Sequence, residues 1–405
     1  MSTEINFNKD VQQFLEKKRD LQLALLNFLD NHQNQDKNFG ILLQLFNTHK
    51  IRSIQPELYT FLCLISHIST NHHRGSNFFS KIEKILLSLE KEIKQSLSKS
   101  KIFSIFRENI EIVLFLIENK ILTANQELAN YYKEEKRQKK FFCHFFQPEL
   151  QTFYDASLKQ KINEDFQNLK IENFKEKRKI GENDKEICRL IRNDLVDDFI
   201  SHVTTNRMNY STTIDSSIFE TNLFLIDKNP TILEYSAFFG SIKIFKYLLS
   251  TRARLTPSLW LYAIHGNNLE IIKLLNENRV QPKDRTFNEC FIESIKCFNN
   301  EIANFIEKNL IQKRDENILI NCMKYYNYCY FPNKDLFTKD AAFYNFCKLN
   351  FAYLVELLVT NKNINVNSVI ESKSPLIIAA QKENIEIISY LLKHPNIDVN
   401  YQSII

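Results

Sequence analysis

The stretch that decides the fold is SPLIIAAQKENIEIISYLLKHPNIDVN, residues 374–400. It predicts two short helices joined by a turn at Asn384. Ser374 and Pro375 suit the start of the first helix, because a proline in the first turn lacks only an N–H that would have no partner inside the helix. The second helix has apolar residues at helical spacing, namely Ile385, Ile387, Ile388, Leu391 and Leu392. Such a unit buries one face against a neighbour.

The same pattern recurs towards the N-terminus, which predicts a stack of similar units. Residues 231–249 carry a recognisable copy, and residues 257–275 carry another. Weaker copies fall at 188–200, at 340–367 and around Ser294, Cys297, Phe305 and Ile306. Residues 318–326 are predicted to form the first helix of a truncated unit. The segment 186–400 is therefore predicted to hold about five or six units, which stack on their nearest neighbours as in a solenoid.

Residues 374–400 resemble an ankyrin repeat. The matching residues are Ser374, Pro375, Leu376, Ala379, Ala380, Glu386, Ile387, Ile388, Leu391, Leu392, Asp398, Val399 and Asn400. Ile377 replaces the usual His of that family, and Glu383 replaces the usual Gly. The whole arrangement is similar to a large uncharacterised family of protist proteins with an N-terminal helical region and degenerate ankyrin repeats. The resemblance implies an all-α fold, with an N-terminal helical domain followed by an irregular ankyrin-type helical solenoid.

Composition divides the chain into three predicted segments. Residues 1–130 read as a helical N-terminal domain, because apolar residues recur at helical spacing between polar joints. Residues 131–185 read as a charged and aromatic linker or insertion, with basic runs at 133–140 and 175–179. Residues 186–405 form the predicted degenerate ankyrin-repeat solenoid.

Glycine is scarce, with 5 residues in a chain of 405. The glycines are too far apart to form the Gly-rich loops that hold dinucleotides or nucleotide phosphates. The usual Rossmann and P-loop phosphate-binding motifs are therefore excluded. No Asn-Gly, Asp-Gly or Gly-Gly pair is present, which disfavours tight β-hairpins. Asparagines such as Asn276, Asn278, Asn309, Asn361, Asn363 and Asn396 end the second helices of the units. We expect them to replace glycine in left-handed helix ends.

The charge and apolar patterns predict an intracellular protein without a membrane span. The net charge is +5, too small to imply nucleic acid without a focused basic patch. The longest strongly apolar run, residues 112–117, is far shorter than a span needs, and the N-terminus has no apolar signal core. The 8 cysteines form no CxxC pair, which favours reduced core thiols. The expected compartment is the cytoplasm, with the nucleus left open.

Residue clusters that could support chemistry all have simpler structural interpretations. His67, His72 and His73 are the densest histidine group, but their spacing does not place three ligands on one helix face. The pairs Cys290/Cys297 and Cys322/Cys329 lie where small buried residues are needed. Asp194, Asp197 and Asp198 read as a solvated helix face. The sequence thus predicts no catalytic, metal or cofactor site.

The resemblance implies a non-catalytic scaffold that binds a protein partner through the concave face of the repeats. In the ankyrin family, positions near the end of each first helix line that face. The corresponding candidates are Phe238, Phe239, Ile264, His265, Lys296, Gln381 and Lys382. Trp260 is a further candidate, because it lies where the repeat's usual His would be. Packing of the phenylalanines against a neighbouring repeat is the simpler alternative for those two positions.

Two other functions remain open from the sequence. The basic runs at 133–140 and 175–179 could bind nucleic acid or an anionic membrane surface, although interspersed glutamates favour a solvated helix face. An enzyme with an unrecognised N-terminal domain is the second alternative. The partner and the oligomeric state are not determined by the sequence.

Overall fold

The computed structural model describes residues 2–402 except 32, 76, 134–140, 169–172, 227, 314–317, 332–339 and 361–363. Within these residues, regular structure is helical, with 25 α-helices, two short 3-10 helices and only isolated β-bridges in place of strands. The predicted all-α fold, an N-terminal helical domain followed by an irregular ankyrin-type helical solenoid, is confirmed.

The helices vary from one turn to eight turns in length. The first twelve are α1 Ser2–Asp30, α2 Gln35–Thr48, α3 Gln55–Asn71, α4 Phe78–Ser88, α5 Glu90–Ser96, α6 Lys99–Phe106, α7 Ile110–Glu118, α8 Gln126–Lys133, α9 Phe142–Phe145, α10 Gln147–Leu150, α11 Ala156–Asn168 and α12 Phe174–Ile180. The others are α13 Glu186–Arg192, α14 Val196–Thr205, α15 Ile232–Phe238, α16 Ile242–Ser250, α17 Leu259–His265, α18 Leu269–Glu277, α19 Asn288–Lys296, α20 Asn300–Asn309, α21 Ile318–Tyr325, α22 Asp340–Lys348, α23 Ala352–Thr360, α24 Pro375–Gln381 and α25 Ile385–Leu392.

The chain divides into two compact units. The first unit comprises Met1–Ile65 and Lys313–Ile405, and the second comprises Ser66–Gln312. In the first unit, α1 contacts the 3-10 helix Tyr328–Tyr330, and the Gln22 side chain hydrogen-bonds both the Asn327 side chain and the Tyr328 N–H. The second unit contains α4 to α20. The predicted boundaries at 1–130, 131–185 and 186–405 stay a prediction.

Helix pairs repeat through both units. In the second unit, α13, α15, α17 and α19 are the first helices of successive pairs, and each packs on the next. Their second helices, α14, α16, α18 and α20, stack in the same order. In the first unit, α22 packs on α24 while α23 packs on α25. This is the nearest-neighbour stacking of a helical solenoid.

Local sequence starts these helices as expected. The Ser374 hydroxyl accepts a hydrogen bond from the Ile377 N–H at the start of α24, with Pro375 in the first turn. Thr231 and Glu234 form a capping box at the start of α15, so two otherwise unpaired N–H groups are satisfied. Helix α24 therefore begins at Ser374 and Pro375 as the sequence pattern predicts, whereas the capping box of α15 is a finding of the structure.

The asparagines have a different role from the predicted one. None of the described members of the predicted set, Asn276, Asn278, Asn309 and Asn396, has positive φ, while Asn361 and Asn363 lie outside the described residues. After α16 and α18, the left-handed positions are taken by Arg252 (φ 58°) and Arg279 (φ 53°). Asn278 and Asn309 instead donate from their side chains to the carbonyl four residues earlier. The expected glycine replacement was wrong, because these amides satisfy helix-end carbonyls directly.

Other polar side chains connect neighbouring helix pairs. The residue just before four of the second helices, α16, α18, α20 and α25, donates a hydrogen bond to a backbone carbonyl near the end of the preceding first helix. The four bonds are Ser241 to Ile191 (2.6 Å), Asn268 to Gly240 (3.0 Å), Asn299 to Ile264 (2.5 Å) and Asn384 to Cys347 (2.8 Å). This recurring contact gives a physical role to asparagine at the turn of the repeat.

Replacing Asn384 with alanine is expected to lower the free energy of unfolding of the first unit by about 1 to 3 kcal/mol, because the buried Cys347 carbonyl loses its side-chain donor. Urea denaturation followed by circular dichroism measures the change. Asn276→Ala is the control, since Asn276 is exposed on α18. Equal midpoints for Asn384→Ala and wild type would show that the contact does not stabilise the stack.

Candidate functional site

The residues predicted to contact a partner differ in exposure. Phe238, Trp260, Ile264 and His265 are buried. The Trp260 Nε1–H donates to the Val280 carbonyl at 2.7 Å, and its ring meets Phe287 edge-on. The exposed or half-buried members of the set are Phe239, Lys296, Gln381 and Lys382.

The buried aromatic positions are covered by the chain itself. The Phe224 ring stacks on Phe238, with ring centroids 5.6 Å apart, and lies 4.1 Å from the His265 ring. Tyr262 meets the same Phe224 ring edge-on at 5.0 Å. The Lys228 ammonium lies 3.3 Å from the centroid of Phe224. The segment before α15 thus covers first-helix residues of two repeats, which the sequence pattern did not indicate.

His265 belongs to a buried polar network. Its Nε2 lies 2.7 Å from Glu293 Oε1, and the Lys296 ammonium lies 2.8 Å from the same oxygen. Burial lowers the pKa of His265, so the neutral imidazole donates Nε2–H to the Glu293 carboxylate. Although burial alone would raise it, these bonds from His265 and Lys296 lower the pKa of Glu293 to about 2. The network joins α17 to α19.

Within the described residues, the three side chains that could share a metal ion are His265, Glu293 and Cys297, whose potential ligand atoms lie within 4.8 Å of one another. The Cys297 sulfur is 3.6 Å from both ring nitrogens of His265, so it lies off the lone-pair direction of each. Glu293 is already bonded to His265 and Lys296. His265, Glu293 and Lys296 thus form a hydrogen-bonded network, and the position of the Cys297 sulfur beside it does not fit a metal ion shared by all three candidate ligands.

Two cysteines lie beside histidines, as in nucleophilic sites, but neither is activated. Cys297 lies beside His265, and Cys143 lies beside His144, whose Nε2 is 2.8 Å from Asp165 Oδ2. Both thiols are buried, and burial raises the pKa of each. A nucleophilic cysteine needs the opposite shift, towards the thiolate. The geometry therefore favours structural roles for both.

The histidine-rich joint after α3 packs on the repeats of the second unit. His72 is buried, and its Nδ1 lies 2.8 Å from the Cys297 carbonyl oxygen, which assigns the proton to that nitrogen. The adjacent residues His73 and Arg74 reach a cleft in the same unit. The joint thus brings residues distant in sequence next to the repeats.

The cleft has a volume of about 650 Å³, within the usual range of small-molecule sites. Its lining is rich in charged side chains, with apolar wall at Ile180 and Phe239. Its acidic and basic lining residues include Arg74, Lys177, Glu182, Asp184, Arg189 and Arg192. A narrow pocket of about 10 Å³ that includes Glu220 and His265 shares His73, Arg74, Glu182 and Phe239 with it.

Three of the four Lys and Arg side chains that line the cleft have a carboxyl partner within 3 Å. Arg192 pairs with Glu182 at 2.5 Å and Lys177 with Asp184 at 2.8 Å. Arg189 pairs with Glu186 on its own helix at 2.6 Å. Arg74 differs from them, because its nearest carboxyl group is Glu111, 3.5 Å away.

Glu111 is held mainly in its neutral form. Its side chain is 11% exposed, and burial raises the pKa of Glu111 to about 8, although Arg74 and the Thr221 hydroxyl act to lower it. Gly181 leaves room for this carboxyl, since a Cβ on Gly181 would lie 1.8 Å from Glu111 Oε1. Burial likewise raises the pKa of Glu220 to about 7. The Arg74 charge therefore lacks a fully ionised counter-ion at neutral pH.

The basic run at 175–179 is partly structural. Arg178 is buried in α12, where it makes two hydrogen bonds to the Glu149 carboxylate and one to the Phe145 carbonyl. Lys177 pairs with Asp184. The run at 133–140 lies outside the described residues except for Lys133, which pairs with Asp155. The contacts at 175–179 fit a folded helix face.

The stacked helix pairs define the class as an all-α protein with an ankyrin-type helical solenoid. Residues 308–403 match the family described as ankyrin repeats (3 copies). Repeats of this kind generally mediate protein–protein interactions. No curated protein matches the chain. Among the described helices, none has the length and apolar character that a membrane crossing requires.

Proposed function

We propose that this protein is a non-catalytic scaffold that binds a protein partner through its ankyrin-type repeats. The observation that carries the proposal is the match of residues 308–403 to ankyrin repeats, which generally act as interaction modules. A rigid stack presents side chains in fixed positions, so binding needs surface complementarity and neither cofactor nor metal. Cytoplasmic localisation stays a prediction.

The exposure of the candidate side chains indicates which of them can contact a partner directly. Gln381 and Lys382 lie at the end of α24, at the first-helix positions that line the binding face of the resembled family, and both are exposed. Phe238, Ile264 and His265 occupy comparable positions in other repeats, and Trp260 occupies the position of the usual His, but all four are buried. We therefore assign direct partner contact to Gln381 and Lys382, and an indirect role in shaping the repeats to the buried four.

Affinity purification of the full chain from cells tests this proposal. The double variant Gln381→Ala/Lys382→Glu is expected to recover partner proteins about tenfold less well, since loss of central contacts costs about 1 to 2 kcal/mol. Lys393→Glu is the matched control, because Lys393 is an exposed lysine at the end of α25. A partner recovered equally with both variants would contradict the assigned surface. Failure to find any reproducible protein partner would contradict the scaffold proposal.

A further inference from the structure

The cleft of the second unit combines a basic wall with a buried arginine, Arg74, whose nearest carboxyl oxygen lies 3.5 Å away on Glu111. The Arg74 side chain is 8% exposed and lies over the Phe79 ring at 4.8 Å. One guanidinium nitrogen donates to the Thr221 hydroxyl at 2.7 Å. Arg74 Nε is buried and has no hydrogen-bond partner among the described residues. A buried cation without a full counter-charge is costly, so Arg74 is suited to receive an anionic group.

The electrostatics around Arg74 support this assignment. Glu111 is mostly protonated at neutral pH because burial raises its pKa to about 8. Glu182, another carboxyl group of the cleft lining, pairs with Arg192 at 2.5 Å. Asp184 is neutralised by Lys177. The lining thus leaves a net positive site at Arg74, with Lys177, Arg189 and Arg192 on the same cavity.

We propose that this cleft binds the oxyanion group, a carboxylate or a phosphate, of a small organic ligand, with Arg74 as the principal contact. The guanidinium offers several N–H donors in a planar arrangement that matches both kinds of oxyanion. Ile180 and Phe239 supply apolar wall for the body of the ligand. The cleft and the surface at Gln381 and Lys382 use different residues, so this proposal is independent of the scaffold function.

Isothermal titration calorimetry of the full chain tests the site with three probes at matched ionic strength: inorganic phosphate, glycerol 3-phosphate and glycerate. The two organic probes share a three-carbon body, so their comparison separates phosphate from carboxylate recognition. At least one probe is expected to bind with one site per chain. Arg74→Gln is expected to weaken that binding at least tenfold, whereas Arg279→Gln, which changes an exposed arginine after α18, leaves it unchanged.

Clear outcomes would overturn the proposal. Absence of saturable binding by all three probes at about ten millimolar, a concentration well above typical ligand affinities, contradicts it. Equal binding by wild type and Arg74→Gln also contradicts it. If circular dichroism shows that Arg74→Gln does not fold, the double variant Lys177→Gln/Arg189→Gln decides, because both side chains are at least one-third exposed. A fivefold or greater loss supports the site, and a smaller change contradicts it.

Discussion

Trp260→Ala is expected to lower the free energy of unfolding of the second unit by about 3 to 5 kcal/mol, the usual cost of removing a large buried aromatic side chain. Trp260 has 0% exposure, packs edge-on against Phe287 and donates its indole N–H to the Val280 carbonyl. The substitution therefore creates a cavity between α17 and Phe287, and it leaves the Val280 carbonyl without its side-chain donor. Urea unfolding followed by circular dichroism measures the effect, since the only tryptophan is lost.

Two controls separate packing from hydrogen bonding at this position. Trp260→Phe keeps an aromatic ring but removes the N–H, so a smaller loss of about 1 to 2 kcal/mol is expected. Leu87→Ala changes a side chain that is 45% exposed in the same unit, and its effect is expected to stay below that of Trp260→Phe. A Trp260→Ala protein within about 1 kcal/mol of wild type would mean that α17 is not stabilised by this contact.

The second large effect concerns Glu111 and pH. The folded chain holds the Glu111 proton up to about pH 8, whereas the ordinary pKa is 4.5. Folding therefore takes up a proton between these values, and raising the pH through this window lowers the free energy of unfolding. Relative to Glu111→Gln, wild type is expected to lose roughly 3 to 5 kcal/mol between pH 4.5 and pH 8.

Urea denaturation of wild type and Glu111→Gln at several pH values measures this difference. Glu118→Gln is the matched control, because Glu118 is an exposed residue of the same helix, α7. Parallel pH profiles for wild type and Glu111→Gln would contradict a buried neutral carboxyl. Glu220, whose pKa burial raises to about 7, is present in wild type and in both variants. Where it titrates independently of Glu111, its contribution therefore cancels when wild type is compared with Glu111→Gln.

Much of the repeat architecture could be predicted from short sequence windows. A first helix with a capping residue, a turn, and a second helix with an apolar stripe are local patterns, and they are visible around Thr231 and Ser374. The role of asparagine could be predicted only in part. Its abundance at the turns could be counted, but the acceptors, such as the Cys347 carbonyl for Asn384, belong to a different repeat. A contact between segments so far apart has no short-range signal.

The candidate site depended even more on distant contacts. The ankyrin pattern made Phe238 and His265 candidates for the partner-binding face, with packing against a neighbouring repeat as the simpler alternative for Phe238. In the structure, Phe224 from the preceding segment covers both. Arg74, Glu111, Gly181 and Thr221 meet in one place from four separate stretches of the chain. No spacing rule connects them, so neither the cleft nor the neutral Glu111 could be derived from the sequence.

The sequence by itself determined that the chain is helical and repetitive, because periodicity and capping act within a few residues. It also ruled out the common glycine-rich phosphate loops. Only the tertiary structure decided which first-helix residues are covered, which polar side chains connect the repeats, and which buried arginine lines the cleft. Burial and pKa depend on groups brought together across long stretches of chain, and desolvation by those groups is a property of the folded protein alone.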